Sequence, residues 1–434
     1  MRTIPLLLAL AACNPGNAPG AAPDASTAPD APADGATGCP AGKAGATCVL
    51  DLFDRAAECD AAIVMELRAE LDARDGLGPL WADGRALFRT SAPTYVAGGF
   101  NEWSTTALAT AALCGSDLVV GVGPVATGHH QYKLFDPQNQ SWSLDPKNRA
   151  FAYDDFTGNP DGTNSVLATP DSGRGYLVKI DRTCSTALGN CREVTAYLPP
   201  GYDALDQVAR TYPVLFMHDG QNVWDDHDCC FGHTGWETNV ALDDEIGAGR
   251  VAPVIVIAAE HSSARNTEYG LSTTAMNMFM QFQVMELQPA ALAKVRWDGQ
   301  RVAVGGSSLG GLVAMHLALA YPETYSAGVS LSGAFWPGMD DGTALRDKLP
   351  ALGKQPVAIY LDHGGNLANN SDGAADSVEV RDALEGLGWQ RSTSPSCAPG
   401  PNALCYHSEP GATHDELAWK ARTWRFLQFL FPAS

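Results

Sequence analysis

The sequence predicts an α/β fold preceded by a smaller region of short strands and turns. Three observations lead there. Residues 175–434 alternate short β-branched runs with apolar segments of helical spacing, as in an α/β domain. Residues 78–170 carry only short strand-like runs divided by turns. Residues 301–312 read Arg-Val-Ala-Val-Gly-Gly-Ser-Ser-Leu-Gly-Gly-Leu, a β-branched run that enters an apolar helix through a Gly-x-Ser-x-Gly turn.

The chain has 434 residues, more than one typical domain, and 45% of them are apolar. Its net charge of −21 and isoelectric point near 4.7 exclude nucleic acid or an anionic membrane surface as the main partner.

Taken in order, the N-terminus places Arg2 ahead of an apolar run over residues 6–12. That run is too short to span a membrane. Leu10-Ala11-Ala12-Cys13 resembles a bacterial lipobox. The resemblance implies cleavage after residue 12, lipidation of Cys13, and an exported protein anchored by acyl chains in the cell envelope, on its periplasmic face or the cell surface. Residues 14–48 are expected to form a tether, since Ala, Pro, Gly and Asp dominate the stretch to Gly38 and leave almost nothing to bury. Residues 49–77 show helical spacing (Val49, Leu50, Leu52, Phe53, then Ile63, Leu67, Leu71) and form a helical lead-in. Setting Cys13 aside, ten of the eleven cysteines remain, an even number that suits disulfides in an exported protein. Cys184/Cys191 and Cys397/Cys405 are close enough in sequence to pair. Cys39, Cys48, Cys59, Cys114, Cys229 and Cys230 stay unassigned, and the neighbours Cys229 and Cys230 are expected to reach different partners.

Residues 78–170 contain runs at 85–88, 94–97 and 130–134, the motif Gly98-Gly-Phe-Asn-Glu-Trp-Ser104, then Gln131-Tyr-Lys133, Asp145-Pro146 and Asn164 before a last run. This order resembles the immunoglobulin-like glycogen-binding and isoamylase N-terminal modules. The resemblance implies an immunoglobulin-like sandwich in which Trp103, Lys133, Trp142 and Asn164 occupy the sugar-contacting positions. The same signature also occurs in modules that only shape a neighbouring catalytic domain.

In the C-terminal region strands are expected at 194–198, 214–217, 254–258, 302–305, 327–331, 358–361 and 404–407, with helices over 311–320 and 416–431. The Gly-x-Ser-x-Gly turn resembles the nucleophile elbow of the α/β-hydrolase fold. Gly306 and Gly310 bracket Ser308, whereas Ser307 has Leu309 at the second position after it, so Ser308 is the expected nucleophile. In that fold the acid and the base follow in chain order. His414, in a loop ahead of the final helix, is the expected base; His407 is an alternative and His316 is expected only to pack. Asp376, opening a helix, is the first choice for the orienting acid. Asp372 is the second, and Asp362 is expected to shape the turn at its strand end. The oxyanion hole should be built from the N–H groups of Leu309 and, in the loop after 214–217, Gln221.

Leu198-Pro-Pro-Gly-Tyr202, Tyr212-Pro-Val-Leu-Phe-Met-His-Asp-Gly-Gln-Asn222, Arg265-Asn-Thr-Glu-Tyr269, Gly306-Ser-Ser-Leu-Gly-Gly311 and His414 with Trp419 follow one another in the order found in one esterase family. The region resembles that family, which includes esterase D, enterochelin esterase, feruloyl and acetyl esterases acting on carbohydrate, and mycolyltransferases. The chain departs from it after Gly364, where the family-like Gly-x-x-Asp or Gly-x-x-Glu is missing. The insertion at 225–233, rich in Asp, His and Cys, could suit a metal, but disulfides in a solvated loop are the expectation. The resemblance implies a serine esterase acting on a small-molecule or glycan ester, carbohydrate-linked or siderophore-like, with no cofactor and no metal; the lipobox adds the expectation of export, and a monomer is expected. Lipid anchoring argues against cytosolic iron release and so against the siderophore option. An acyltransferase using the same triad and a non-catalytic glycan-binding lipoprotein are the alternatives; intact Ser308 and His414 weigh against the last.

Overall fold

The computed structural model describes residues 45–154, 162–204, 207–226, 229, 234–336 and 340–433. The leader, Cys13 and most of the expected tether lie outside these residues, as does most of the 225–233 insertion.

Two helices come first, α1 (Gly45–Ala56) and α2 (Ala61–Asp72). Residues 45–48, expected to belong to a tether, are helical instead. Cys48, Val49, Leu50 and Leu52 are buried in one cluster with Leu67 and Leu71 of α2, so the first turn of α1 is already part of a core. Asp60 separates the two helices, and its carboxylate accepts the Ala62 N–H at 2.8 Å, a helix-starting cap.

Among the described residues nine strands follow: β1 (Leu80–Ala82), β2 (Arg85–Thr90), β3 (Tyr95–Gly98), β4 (Ala111–Ala112), β5 (Val119–Pro124), β6 (His129–Asp136), β7 (Ser141–Ser143), β8 (Ala150–Tyr153) and β9 (Thr163–Ala168). One sheet has the order β1-β2-β5-β4. The alternation in β2 has a direct consequence for packing. Ala86 and Phe88 face Val96, Tyr132, Leu134 and Leu167 of the opposing strands. Leu87 faces α1 and α2 on the other side.

The remaining strands of this group belong to a larger sheet. After β10 (Tyr176–Ser185) and β11 (Asn190–Leu198), the chain runs through β12 (Val214–His218), α3 (Gly220–Val223), α4 (Thr238–Gly247), β13 (Ile255–Ala259), α5 (Thr273–Phe282), α6 (Gln288–Leu292), β14 (Val302–Ser307), α7 (Ser308–Ala320), β15 (Tyr325–Leu331), α8 (Leu345–Leu352), β16 (Ala358–His363), α9 (Ala374–Gly386), β17 (Gln390–Thr393), β18 (Ala403–Ser408) and α10 (Glu416–Leu430). The strand order is β17-β18-β16-β15-β14-β12-β13-β11-β10-β8-β9-β6-β3, with β7 paired to β6. From β13 to β17 neighbouring strands are parallel, while β10 and β11 form an antiparallel hairpin carrying the Cys184–Cys191 disulfide. This is the mixed sheet of an α/β fold. β8 pairs antiparallel with β10 through Phe151↔Leu177 and Ala150↔Val178, so the N-terminal strands continue the sheet rather than standing apart from it.

The central strands are buried on both faces, as their unbroken Val, Ile and Leu runs require. α7 is buried from Gly310 to Leu319, which is why its sequence is apolar all round. All seven expected C-terminal strands form. Two further strands had weak signals: β10 opens with three buried apolar residues and is mostly polar and exposed beyond them, and β17 (Gln-Arg-Ser-Thr) is a polar sheet edge.

The two expected disulfides are present, and a third, Cys59–Cys114, joins the end of α1 to the segment between β4 and β5. Cys48 and Cys229 are also disulfide-bonded. Among the described residues no helix is long and apolar enough to cross a membrane, and no cluster of His, Cys, Asp and Glu could hold a metal ion.

Candidate active site

Ser308 stands where β14 turns into α7, at φ 51°. A left-handed backbone is costly for a residue with a Cβ, and here it lifts the side chain out of the turn. The two flanking glycines are required by contact. A Cβ on Gly306 would come within 2.6 Å of the Gly310 carbonyl carbon, and one on Gly310 within 2.8 Å of Asp219 Oδ2.

The loops after β16 and β18 bring two side chains to the same place. His414 Nε2 lies 2.9 Å from Ser308 Oγ. Its Nδ1 lies 2.5 Å from Asp372 Oδ1. With a carboxylate against Nδ1, that nitrogen carries the proton and donates, which leaves Nε2 free to accept the Ser308 hydroxyl proton. The Asp372 carboxylate is 1% exposed and the His414 side chain 32%, so the acid is screened and the imidazole is accessible. Trp336 and Trp419 flank the His414 ring edge-on, at 6.0 and 5.1 Å between centroids.

Here the expectation for the acid is corrected. Asp376 does not meet His414; its carboxylate accepts the Asn370 amide at 2.6 Å in the first turn of α9. Asp372 stands one turn earlier, in a run where Asn370, Asp372 and Gly373 all have positive φ. That run curls back toward the sheet and carries Asp372 inward. The other carboxylate oxygen of Asp372 accepts from Ser332 Oγ at 2.7 Å and from the Gly364 N–H. Ser332 Oγ in turn accepts from Arg422 Nη2 at 2.9 Å. Asp362 is fully buried, pairs with Arg422 and accepts the Ser332 N–H, so it braces the neighbouring turn as expected of a strand-end acid.

The other histidines are not brought to Ser308. His316 is buried inside α7, and burial pushes it down to about 3. His407 lies beside Glu409 at 3.4 Å, and burial lowers it too, with the nearby Arg425 cation adding to the effect.

Leu309 follows Ser308 at the start of α7, and Gln221 is the second residue of α3. N–H groups in a first helical turn have no acceptor within the helix. The contact between Gly310 and Asp219 shows that the two turns abut. The Gln221 side chain accepts the His261 N–H at 3.3 Å, which anchors that loop to the segment after β13.

The four positions taken from the resemblance to sugar-binding modules separate. Trp103 and Trp142 are 40% and 42% exposed and lie edge to face, 6.3 Å apart. Lys133 and Asn164 are 4% and 2% exposed, and the Asn164 amide donates to Gln131 and Asp154. These two are interior residues of the sheet, out of reach of a surface ligand.

Ser332, Arg422 and the Asp219–Arg265 pair were not read from the sequence as parts of the site. An Arg on the same face of α10 as Trp419, Phe426 and Phe429 is the signal that could have drawn attention to Arg422.

A protein-family model described as Putative esterase matches residues 185–422. No curated protein sequence matches the chain. Among solved structures, a ferulic acid esterase aligns at 18% identity over 59% of this chain and 98% of its own, with a TM-score of 0.45. The enterobactin esterase FES from Shigella flexneri, solved in the presence of 2,3-dihydroxy-N-benzoyl-glycine, aligns at 16% identity over 81% and 95%, with a TM-score of 0.43. An IroE-like serine hydrolase from Shewanella oneidensis aligns at 19% identity over 59% and 80%, with a TM-score of 0.45.

Proposed function

Because this chain belongs to the Putative esterase family and is a carboxylic ester hydrolase, we propose that it is an exported serine esterase working through an acyl-enzyme on Ser308. One observation carries the reading: a single imidazole bridges the Ser308 hydroxyl at 2.9 Å and the Asp372 carboxylate at 2.5 Å.

In the first half-reaction Ser308 Oγ attacks the ester carbonyl carbon as His414 Nε2 takes its proton. Negative charge gathers on the carbonyl oxygen, toward the N–H groups of Leu309 and Gln221. The tetrahedral adduct collapses, the C–O bond to the alcohol breaks, and the alkoxide leaves with the proton held by His414. Water then attacks the acyl-enzyme, gives a proton to His414, and the acid departs as Ser308 recovers its hydrogen. Asp372 holds the imidazole and balances its transient charge.

A carbohydrate-linked ester is the favoured substrate. The exposed Trp103–Trp142 pair supports this, since aromatic faces suit the apolar faces of sugar rings. Export through the Cys13 lipobox, to the bacterial cell envelope, is part of the same proposal; the disulfides are consistent with an oxidising compartment.

The test is turnover of p-nitrophenyl acetate and butyrate by the signal-less protein beside Ser308→Ala. Wild-type turnover with a silent variant supports the reading. Equal inactivity of both on these esters and on methyl ferulate overturns it.

A further inference from the structure

Asp219 directly follows β12 and has a left-handed backbone, φ 59° and ψ 50°. Its carboxylate is 1% exposed. An Asp in front of a helical turn ordinarily accepts one of the turn's N–H groups. Here the side chain makes no such bond. Both oxygens go instead to Arg265, Nε to Oδ1 at 2.6 Å and Nη2 to Oδ2 at 2.7 Å. The guanidinium lies 5.3 Å from the Tyr269 ring centroid, which fixes its plane. A Cβ on Gly310 would stand 2.8 Å from Asp219 Oδ2, so this anionic oxygen sits against the residue two positions after Ser308.

An unpaired carboxylate in that place would act against acyl transfer in two ways. Its charge would oppose the negative charge forming on the ester oxygen, most strongly because the Asp219 carboxylate is buried, where water screens it little. It could also swing onto the N–H of Gln221 and occupy a donor that the reaction needs. The planar fork of an arginine holds both oxygens in one orientation and cancels the charge; a lysine ammonium offers a single point of contact.

We propose that Arg265 is a positioning residue that keeps the Asp219 carboxylate neutralised and turned away from the oxyanion donors. The inference rests on the esterase reading above. It makes a prediction that a bracing role does not: the damage caused by losing Arg265 is done by Asp219, so removing the charge of Asp219 repairs it.

The experiment compares wild type, Arg265→Gln, Arg265→Lys, Asp219→Asn, the Arg265→Gln/Asp219→Asn double variant and Ser308→Ala. It measures kcat and KM on p-nitrophenyl acetate, the Ki of a trifluoromethyl ketone analogue, and Tm. Arg265→Gln is expected to lose about 10- to 100-fold in kcat with KM within about twofold, and to weaken the ketone in step. The double variant should recover at least about tenfold of that loss. If Arg265→Gln does not fold, Arg265→Lys and an added Arg265→Lys/Asp219→Asn double variant carry the test, with a smaller kcat loss, an unchanged KM and the same rescue. Unchanged kcat in the Arg265 variants, or a double variant no better than its parent, overturns the proposal. Ser308→Ala matching wild type would instead overturn the esterase reading beneath it.

Discussion

Ser332 Oγ donates to Asp372 at 2.7 Å, on the carboxylate oxygen that His414 does not use. The acid is thus held from both ends, by the imidazole on one oxygen and by Ser332 with the Gly364 N–H on the other. Ser332→Ala removes one of these bonds and leaves Arg422 Nη2 without its hydroxyl acceptor. The expected outcome is a kcat lower by about tenfold with KM nearly unchanged, because one charge-assisted bond to the acid is lost. Steady-state kinetics on a p-nitrophenyl ester check it.

Asp372→Asn and Asp376→Asn separate the two acids directly. An amide at 372 cannot orient the imidazole in the required tautomer, and kcat should fall by about 10³- to 10⁴-fold. An amide at 376 disturbs the Asn370 contact at the start of α9 and a 3.9 Å pairing with Arg346, both away from His414, and should stay within about twofold of wild type. The reverse ranking would sink the assignment of Asp372.

These two acids also mark how far the sequence could be read. Ser308 and His414 were legible because each stands in a local pattern, a strand-to-helix glycine turn and a loop ahead of a final helix. The choice between Asp372 and Asp376 depends on a run of left-handed residues, and backbone handedness at Asn or Asp is permitted by sequence without being dictated by it. Ser332 lay beyond reach for a related reason. Its role comes from the side-by-side placement of β15 and β16, a long-range pairing that no local periodicity encodes. Lys133 and Asn164 failed as surface residues because alternation along β6 and β9 identifies two faces but not what covers each one.

Buried histidines should cost this protein stability in acid. Burial lowers His218 to about 4 and His316 to about 3, with desolvation the leading cause in both. In the unfolded chain each returns to about 6.5. Between those values the unfolded state binds more protons, so stability is complete above about 6.5 and is lost as pH falls toward 3 to 4. At pH 5 the loss should be roughly 2 kcal/mol for each histidine. His316→Gln should flatten the dependence of the urea midpoint between pH 7 and 5; an unaltered slope would contradict this.

Gly310→Ala tests the close approach at the elbow. The added methyl would meet Asp219 Oδ2 at 2.8 Å, and the carboxylate is locked by Arg265 and cannot retreat. Stability should fall by about 1–3 kcal/mol, as in other overpacked sites, and kcat by at least about tenfold. Thermal unfolding and ester turnover on the same sample would show whether both move.

The pairing of Ala150 and Phe151 with Val178 and Leu177 makes the border between the two halves a seam rather than a hinge. Ala150 and Val166 share a core cluster with Tyr176 and Val178, so the seam is sealed by side chains as well as by backbone. A protease cut within residues 170–175 would sever the chain without releasing either half. A shortened protein beginning at residue 175 would carry Tyr176–Ser185 as a raw edge, open to pairing with its own kind. For this molecule the N-terminal half is selvedge to the hydrolase sheet, and trimming it invites the fabric to fray.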